Sequence, residues 1–177
     1  MVEFAKPDMA ISRFFTETLG ANLKNSRWSW GAYDPSTNRV FLRVWRDEFD
    51  PDNAWVQVLH PDSAAKRLGY AERVSHLERI KRGATGFGVV CDAADEEAAT
   101  RSIMSFDQEN LVRLGELTIS DDITFAHLDG YFPVASISHP PNAFTTLSSD
   151  LSHLLSKKPE STEKQRLVDA RVGQGAF

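Results

Sequence analysis

The sequence predicts a mixed α+β domain, a compact and partly open β-barrel flanked by two or three helices. Aromatic and β-branched segments recur with Pro, Asn, Asp or Gly between them, a pattern typical of strands joined by tight turns. Helical periodicity is concentrated in one segment near the N-terminus and one in the middle of the chain. Because helices and strands do not alternate regularly, the order favours a barrel over a βαβ fold.

The first predicted elements are a helix and a β-hairpin. Residues 9–19 carry apolar side chains at near-helical spacing, and Gly20 ends the helix. The hairpin arms span residues 28–34 and 39–46, joined by the polar turn at residues 35–38. Strand alternation divides the second arm into two faces: Val40, Leu42 and Val44 on one, and Phe41, Arg43 and Trp45 on the other.

The middle of the chain predicts a strand, a helix and a buried strand. Residues 54–59 form the strand. A helix begins near Asp62 or Ser63, runs through Leu68, continues or restarts over residues 70–82, and ends at Gly83. Residues 85–91 are continuously apolar and contain two glycines, which predicts a central strand. The remaining predicted elements are an acidic helix over residues 92–100, strands over 102–106, 111–119, 123–128 and 132–137, and a hairpin turn at Asp121-Asp122.

The length and composition predict one cytoplasmic domain with a tail. The chain has 177 residues, of which 41% are hydrophobic and 25% charged, as in ordinary globular proteins. The single cysteine, Cys91, lies in an apolar run and is expected to be a buried thiol. No apolar run approaches the length of a membrane span, so we expect no membrane partner. Residues 156–164 are polar and charged, which predicts a linker after a domain over residues 1–155.

The charge distribution allows a nucleic-acid partner despite the net charge of −5. Residues 1–90 carry 13 basic and 11 acidic side chains, whereas residues 91–177 carry 7 and 14. Phosphate binding requires local positive charge rather than a basic whole chain. The cations predicted to contact phosphates are Lys24, Arg27, Arg39 and Arg43.

Two tryptophans give the sequence its most informative segment. Trp28 and Trp30 would share one face of the first hairpin arm, with Arg27 on the other face. Large aromatic side chains most often belong to the core. The alternative is a stacking pocket for a planar ligand such as a nucleobase, and strand geometry alone leaves both interpretations open.

The sequence contains no evident catalytic or metal-binding constellation. Its five histidines form no close pair, and the chain lacks both a Gly-x-Ser-x-Gly elbow and a phosphate-binding P-loop. The acidic cluster at residues 92–97 is more typical of a solvated helix start than of a cation site. We therefore expect a binding module without catalytic residues, metal or cofactor.

The last residues resemble a nuclease family. Residues 165–177 contain Arg-Val-Gly-Gln-Gly-Ala-Phe, which is similar to the string that opens the nuclease domain of bacterial HNH restriction endonucleases. Residues 15–137 look more loosely like the recognition regions of such enzymes. The segments that carry this second resemblance are residues 27–32, 41–45, 86–91 and 103–106.

The resemblance implies that residues 1–155 are a modified-DNA reader, often a PUA-like barrel in this family. Such a domain extrudes a modified base from double-stranded DNA into an aromatic pocket and directs the nuclease of a modification-dependent, type IV restriction enzyme. Residues 165–177 would be the start of a truncated HNH domain, because the chain stops at Phe177 before any HNH histidine or zinc cysteine. We therefore expect this chain not to be an enzyme itself. A homodimer remains open.

The expected pocket is an aromatic cage with one polar contact. Enclosing a methyl group between aromatic faces would offset the cost of unstacking the base. N6-methyladenine is the preferred ligand, with 5-methylcytosine, 5-hydroxymethylcytosine, RNA or a small planar molecule as alternatives. Trp30 is the first choice for the cage because Gly31 permits close approach. The complete expected pocket comprises Trp28, Trp30, Trp45, Asn25, Ser26 and Asp47.

Overall fold

The computed structural model describes residues 9–61 and 68–137, which form a mixed α+β fold around one eight-stranded sheet. The predicted linker and nuclease start lie outside these residues, as do the predicted helix start at Asp62 or Ser63 and the last part of the predicted 1–155 domain. In chain order the elements are α1 (Ile11–Arg13), a π-helical turn (Phe14–Thr18), β1 (Gly31–Asp34), β2 (Arg39–Trp45), a 3₁₀ turn (Arg46–Glu48), β3 (Phe49–Asp50), β4 (Trp55–Leu59), α2 (Gly69–Lys81), β5 (Thr85–Ala93), β6 (Ile103–Phe106), β7 (Asn110–Ser120), β8 (Ile123–Pro133) and a 3₁₀ turn (Val134–Ser136).

The sheet order is β1-β2-β5-β7-β8-β4-β3, with β6 also paired to β5. Every pair is antiparallel except β2 with β5, which the chain connects through β3, β4 and α2. The predicted central position of β5 is confirmed, since it pairs with three strands. Its glycines make room for side chains: a Cβ on Gly88 would lie 2.7 Å from Cγ2 of Val112.

The sheet is not closed into a barrel, because β2 and β4 are not hydrogen-bonded to each other. The guanidinium of Arg73, on α2, lies between them. Its Nη1 donates to the Val58 carbonyl of β4 at 2.8 Å, and its Nη2 donates to the Arg43 carbonyl of β2 at 2.8 Å. A buried side chain thus connects the two strands where a backbone ladder is missing.

Alternation along the strands produces two cores. Val40, Leu42 and Val44 of β2 belong to an aliphatic core with side chains of β4, β5, β7, β8 and α2. The opposite face of β2 carries Phe41, which belongs to an aromatic core covered by the N-terminal helical segment, and Trp45 packs against that core. The predicted division of this strand into two faces is confirmed. Ring pairs in the aromatic core include Phe41–Phe87, Phe87–Phe132 and Phe14–Phe106.

The first hairpin arm is shorter than predicted. Strand β1 begins at Gly31, and residues 26–28 form a turn, so Trp28 and Trp30 do not share a strand face. The local cause is a pair of hydrogen bonds between Asn25 and Ser29, which closes the chain into a turn before the sheet begins.

Two predictions for the second half were wrong. The acidic helix over residues 92–100 is absent: β5 continues to Ala93 because it pairs with β6, and turns follow. The two strands over residues 123–128 and 132–137 are one strand, β8, which pairs along β7 to Pro133 and is followed by a 3₁₀ turn. The predicted hairpin turn at Asp121-Asp122 is confirmed, and both residues have positive φ, 50° and 64°.

No helix within residues 9–61 or 68–137 is long and apolar enough to cross a membrane.

Candidate nucleic-acid interface

The segment before β1, residues 24–30, forms a turn that is held by its own polar groups. The Asn25 N–H donates to Ser29 Oγ at 2.9 Å, and the Ser29 N–H donates back to the Asn25 carbonyl at 3.0 Å. The Arg27 N–H donates to Asn25 Oδ1 at 2.9 Å. Asn25, one of the expected polar contacts of the pocket, therefore uses its side-chain oxygen to stabilise this turn.

The turn places cations beside an aromatic side chain. Lys24, Ser26 and Arg27 are exposed, and Trp28 is partly buried. The Trp28 indole makes no hydrogen bond or ring contact with the other residues that the structure describes. The turn thus places two exposed cations beside a partly buried indole.

Trp30 is more constrained than Trp28. Its indole lies against Gly69 at the start of α2, where a Cβ would come within 2.5 Å of Nε1. Its carbonyl accepts hydrogen bonds from the Arg73 Nη2 and the Arg43 N–H, each at 2.9 Å. The reason for choosing Trp30 first does not hold, because the space beside Gly31 is filled by the sheet itself: a Cβ there would lie 2.4 Å from the backbone oxygen of a β2 residue.

Trp45 and Asp47 are joined by Arg101 from the segment before β6. The Arg101 guanidinium carbon lies 5.5 Å from the centre of the Trp45 ring, and its Nη2 is 3.0 Å from Asp47 Oδ2. Arg101 also contacts Glu48 at 3.1 Å. Burial raises the pKa of Glu48 to about 7, despite this nearby cation. The Asp47 carboxylate, which the sequence predicted to contact the base, thus forms an ion pair with Arg101.

Two of the expected phosphate contacts lie apart on β2. Arg39 begins the strand, and its Nη1 is 3.4 Å from the Ile137 carbonyl. Arg43 lies four residues further along, about 13 Å away at the usual rise of a strand. Its Nε and Nη2 atoms are buried and have no hydrogen-bond partner in the part of the chain that the structure describes. The guanidinium carbon lies 6.0 Å from the centre of the Phe15 ring. Burial lowers the pKa of Arg43. Arg43 lies next to Trp30, because its N–H donates to the Trp30 carbonyl, whereas Arg39 lies at the other end of the strand.

A buried polar cluster lies behind the turn, formed by Ser29, Arg43 and one face of α2. The Ser29 hydroxyl, fully buried, donates to Glu72 Oε1 at 3.0 Å. Arg73 is 5% exposed and makes three hydrogen bonds to backbone carbonyls, and burial lowers its pKa to about 10. Burial also lowers the pKa of His76 to about 4, and Arg73 and Arg79 add to this effect. We call these residues, Ser29, Arg43, Glu72, Arg73 and His76, the polar cluster.

Our sequence reasoning missed the α2 members of this cluster because they read as part of a charged helix face. The sequence did contain a pattern that indicates their burial. Arg73, His76, Leu77 and Ile80 follow the helical spacing i, i+3, i+4 and i+7, so they lie on the helix face that packs against the core. A charged residue on an apolar stripe is expected to be buried and paired.

A separate cavity of about 360 Å³ lies at the C-terminal half of α2. Arg79 lies at its wall and stacks over the Tyr33 ring at 4.0 Å. The lining residues include none of the expected pocket or phosphate residues: they are Asn38, Ser75, Glu78, Arg79, Arg82 and Ala84.

The structure also describes the cysteine thiol and the side chains that could act as metal ligands. Cys91 is buried as predicted, and burial raises its pKa to about 12. In the parts of the chain that the structure describes, no group of three or more His, Cys, Asp or Glu side chains is arranged to hold a metal ion.

Comparisons with models of known protein families, with curated proteins and with solved structures find no match to this chain.

Proposed function

We propose that this chain is the DNA-binding reader domain of a modification-dependent restriction system. It recognises a modified base in double-stranded DNA, with N6-methyladenine as the preferred ligand, by extruding the base against an aromatic side chain. The observation that carries the proposal is the turn at residues 24–30, which places the partly exposed indole of Trp28 next to the exposed Lys24 and Arg27. The resemblance of residues 165–177 supports a nuclease partner of the HNH class.

The division of roles within the turn follows from chemistry. Exposed cations neutralise phosphates and give affinity that is independent of sequence, and Lys24 and Arg27 serve this role. An indole stacks on an extruded base, which contributes about 1–3 kcal/mol. Trp28 takes the cage position that we expected Trp30 to take, because Trp30 is fixed between Gly69 and the polar cluster.

The fold supports a PUA-like barrel as part of the proposal. Five strands, β2, β5, β7, β8 and β4, surround the aliphatic core, and Arg73 spans the interval between the first and the last of them. The turn at residues 24–30 lies beside the gap between β2 and β4. The Arg73 guanidinium, which donates to carbonyls of both strands, also donates to the Trp30 carbonyl.

Fluorescence anisotropy with matched duplexes tests the proposal. Four duplexes of one sequence would carry N6-methyladenine, 5-methylcytosine, 5-hydroxymethylcytosine or no modification at a central position. We expect the wild-type chain to bind the N6-methyladenine duplex most tightly. Equal affinity for all four duplexes would refute the proposal, and preference for a cytosine modification would replace the proposed base but keep the reader function.

Substitution of single tryptophans tests the role of Trp28. Trp28→Ala removes the stacking surface, so we expect affinity for the modified duplex to fall about tenfold, with the unmodified duplex much less affected. Trp55 is a suitable control, because it is also partly buried but packs on Phe125, at 5.8 Å between ring centres, on β4. Trp55→Ala is expected to keep the preference for the modified base. Equal preference in the Trp28→Ala and wild-type chains would assign the stacking role to another side chain.

A further inference from the structure

The cavity at the end of α2 and the turn before β1 lie at opposite ends of one helix–strand pair. At the start of α2, a Cβ on Gly69 would lie 2.5 Å from the Trp30 indole. Near the end of α2, the Arg79 guanidinium carbon lies 4.0 Å from the centre of the Tyr33 ring. Because Tyr33 follows Trp30 along the chain as Arg79 follows Gly69, the helix and the strand run in the same direction.

One face of α2 supplies most of the cavity wall. Its lining residues are spaced i, i+3, i+4 and i+7, so they lie on one face of the helix: Ser75, Glu78, Arg79 and Arg82. The carboxylate of Glu78 is paired with Lys81, at 3.3 Å. The cavity therefore combines two guanidinium groups and a hydroxyl with one carboxylate that already has a cationic partner.

Arg79 is positioned by an aromatic ring and not by an ion pair. Its guanidinium stacks over Tyr33, whose hydroxyl donates to Asn38 Oδ1 at 3.2 Å. Among the residues that the structure describes, none forms a hydrogen bond or salt bridge with the Arg79 side chain. A stacked guanidinium keeps its N–H bonds in its own plane, where they can form two parallel hydrogen bonds to one anion.

The carbonyl groups at the end of α2 are hydrogen-bonded. A helix C-terminus carries partial negative charge, which disfavours a nearby anion. Here the carbonyls of Glu78, Arg79 and Ile80 accept hydrogen bonds from the N–H groups of residues 82–84, at 3.0–3.1 Å. The charged side chains thus determine which ligands the cavity attracts.

A phosphate group matches this set of donors better than a carboxylate does. A guanidinium binds either anion through two oxygens, but a phosphate has further oxygens for a second arginine and a hydroxyl. The cavity volume of about 360 Å³ also accommodates more than a single small ion.

The spacing between cavity and turn suits a DNA strand. Tyr33 lies three residues after Trp30, about 10 Å along a strand, and Arg79 lies ten residues after Gly69, about 15 Å along a helix. Duplex DNA advances about 3.4 Å per base pair, so these distances correspond to about three to four base pairs.

We infer that the cavity binds a phosphate group, with Arg79 donating two hydrogen bonds and Arg82 and Ser75 contacting the remaining oxygens. The source of that phosphate rests on the proposed function, which the inference deepens: it is a backbone phosphate of the DNA, about three to four base pairs from the extruded base. Phosphate contacts fix the register of a protein on a duplex. Two separated contacts, at the turn and at the cavity, set an orientation that the turn alone does not.

The first test measures the salt dependence of binding to the modified and unmodified duplexes. Arg79→Gln removes one charge, so we expect the slope of log K against log salt to fall by about 0.9 in magnitude for both duplexes, and affinity to fall up to about eightfold at about 0.1 M salt. Arg79→Lys keeps the charge but loses the forked geometry. It is expected to bind more weakly than the wild type with an unchanged slope.

Arg13→Gln is the matched control. Arg13 is also exposed and pairs with Glu17, but it lies in the N-terminal helical segment, which covers the aromatic core, whereas α2 packs on the aliphatic core. We expect this variant to keep the wild-type slope and affinity. Thermal melting shows that each variant is folded before binding is compared. An Arg79→Gln slope equal to that of Arg13→Gln would overturn the DNA contact.

The second test distinguishes the sources of phosphate. The Arg79 Nε–H signal, identified by its loss in Arg79→Gln, is followed by NMR during titration with unmodified duplex, adenosine monophosphate or inorganic phosphate, and with potassium chloride as the ionic-strength control. We expect the duplex to shift the signal at the lowest concentration. A shift with the free phosphates but not with the duplex would keep the phosphate site and exclude its role in DNA binding. No shift beyond that with chloride would overturn the inference.

These outcomes are separate from those that test the reader function. A wild-type chain that binds all four duplexes equally, but whose slope falls in Arg79→Gln, lacks the reader function and keeps the phosphate site. A chain that prefers a modified duplex while Arg79→Gln keeps the wild-type slope remains a reader, and only the role of the cavity is refuted.

Discussion

Replacement of Arg73 tests whether one side chain holds the open sheet together. The Arg73→Met substitution keeps a long apolar stem but removes the guanidinium that bonds to the carbonyls of Trp30, Arg43 and Val58. The Trp30 carbonyl keeps a second donor, the Arg43 N–H. The other two carbonyls lose their Arg73 donor in a buried site, at about 1–3 kcal/mol each. We therefore expect the free energy of unfolding to fall by about 2–6 kcal/mol, a large fraction of the stability of a small domain.

The assay is urea unfolding followed by tryptophan fluorescence, with two comparison variants. Arg73→Lys keeps the charge, but one ammonium cannot replace the forked guanidinium at three carbonyls, so its loss is expected to be intermediate. Arg82→Met removes an arginine whose side chain is 81% exposed, next to the C-terminal end of α2, and its effect is expected within about 0.5 kcal/mol. If Arg73→Met costs no more than Arg82→Met, the guanidinium does not hold β2 and β4 together and the argument fails.

Three further predictions concern binding, pH and catalysis. Lys24→Ala and Arg27→Ala are each expected to weaken modified and unmodified duplexes equally and to reduce the salt slope by roughly one unit, whereas an effect on the modified duplex alone would contradict a phosphate role. Burial raises the pKa of Glu48 from 4.5 to about 7, so the folded state holds this proton more tightly than the unfolded state. Stability is therefore expected to fall as the pH rises from about 4.5 to about 7. The Glu48→Gln variant should lack this component of the fall in urea unfolding, and identical pH profiles would argue against it. The purified chain is expected not to cut DNA with magnesium or manganese, and metal-dependent nicking that a point substitution in this chain abolishes would overturn that expectation.

The parts of the fold that the sequence predicted correctly depend on local patterns. The faces of β2 follow from simple alternation, and the turn at Asp121-Asp122 follows from residues that tolerate positive φ. The error at β8 has a long-range cause. Asp129-Gly130 is a typical turn signal, but pairing with β7 keeps the strand continuous, and a register shift at Arg113 and Leu114 absorbs the extra residue. The strand end at Ala93 likewise depends on β6, which lies later in the chain.

The candidate site also depends on contacts between distant parts of the chain, which local sequence patterns do not reveal. The sequence singled out residues 25–32 and predicted a strand over residues 28–34, because alternation was the only local pattern available, whereas the strand begins at Gly31. The polar cluster depends on atoms from three separate parts of the chain: the turn before β1, strand β2 and helix α2. Only the burial of Arg73 and His76 could have been predicted from the sequence, because both are polar residues on the apolar face of a predicted helix.

The net charge of the chain is a poor guide to this site for a physical reason. Fields from distant surface carboxylates are screened over about 8–10 Å in physiological salt, whereas buried charges interact over short distances with little screening. The acidic excess lies in residues 91–177, while Lys24 and Arg27 are exposed on the turn and Arg43 and Arg73 are buried behind it. A phosphate that approached the turn, as we propose, would therefore meet the local positive charge of Lys24 and Arg27 although the whole chain is acidic.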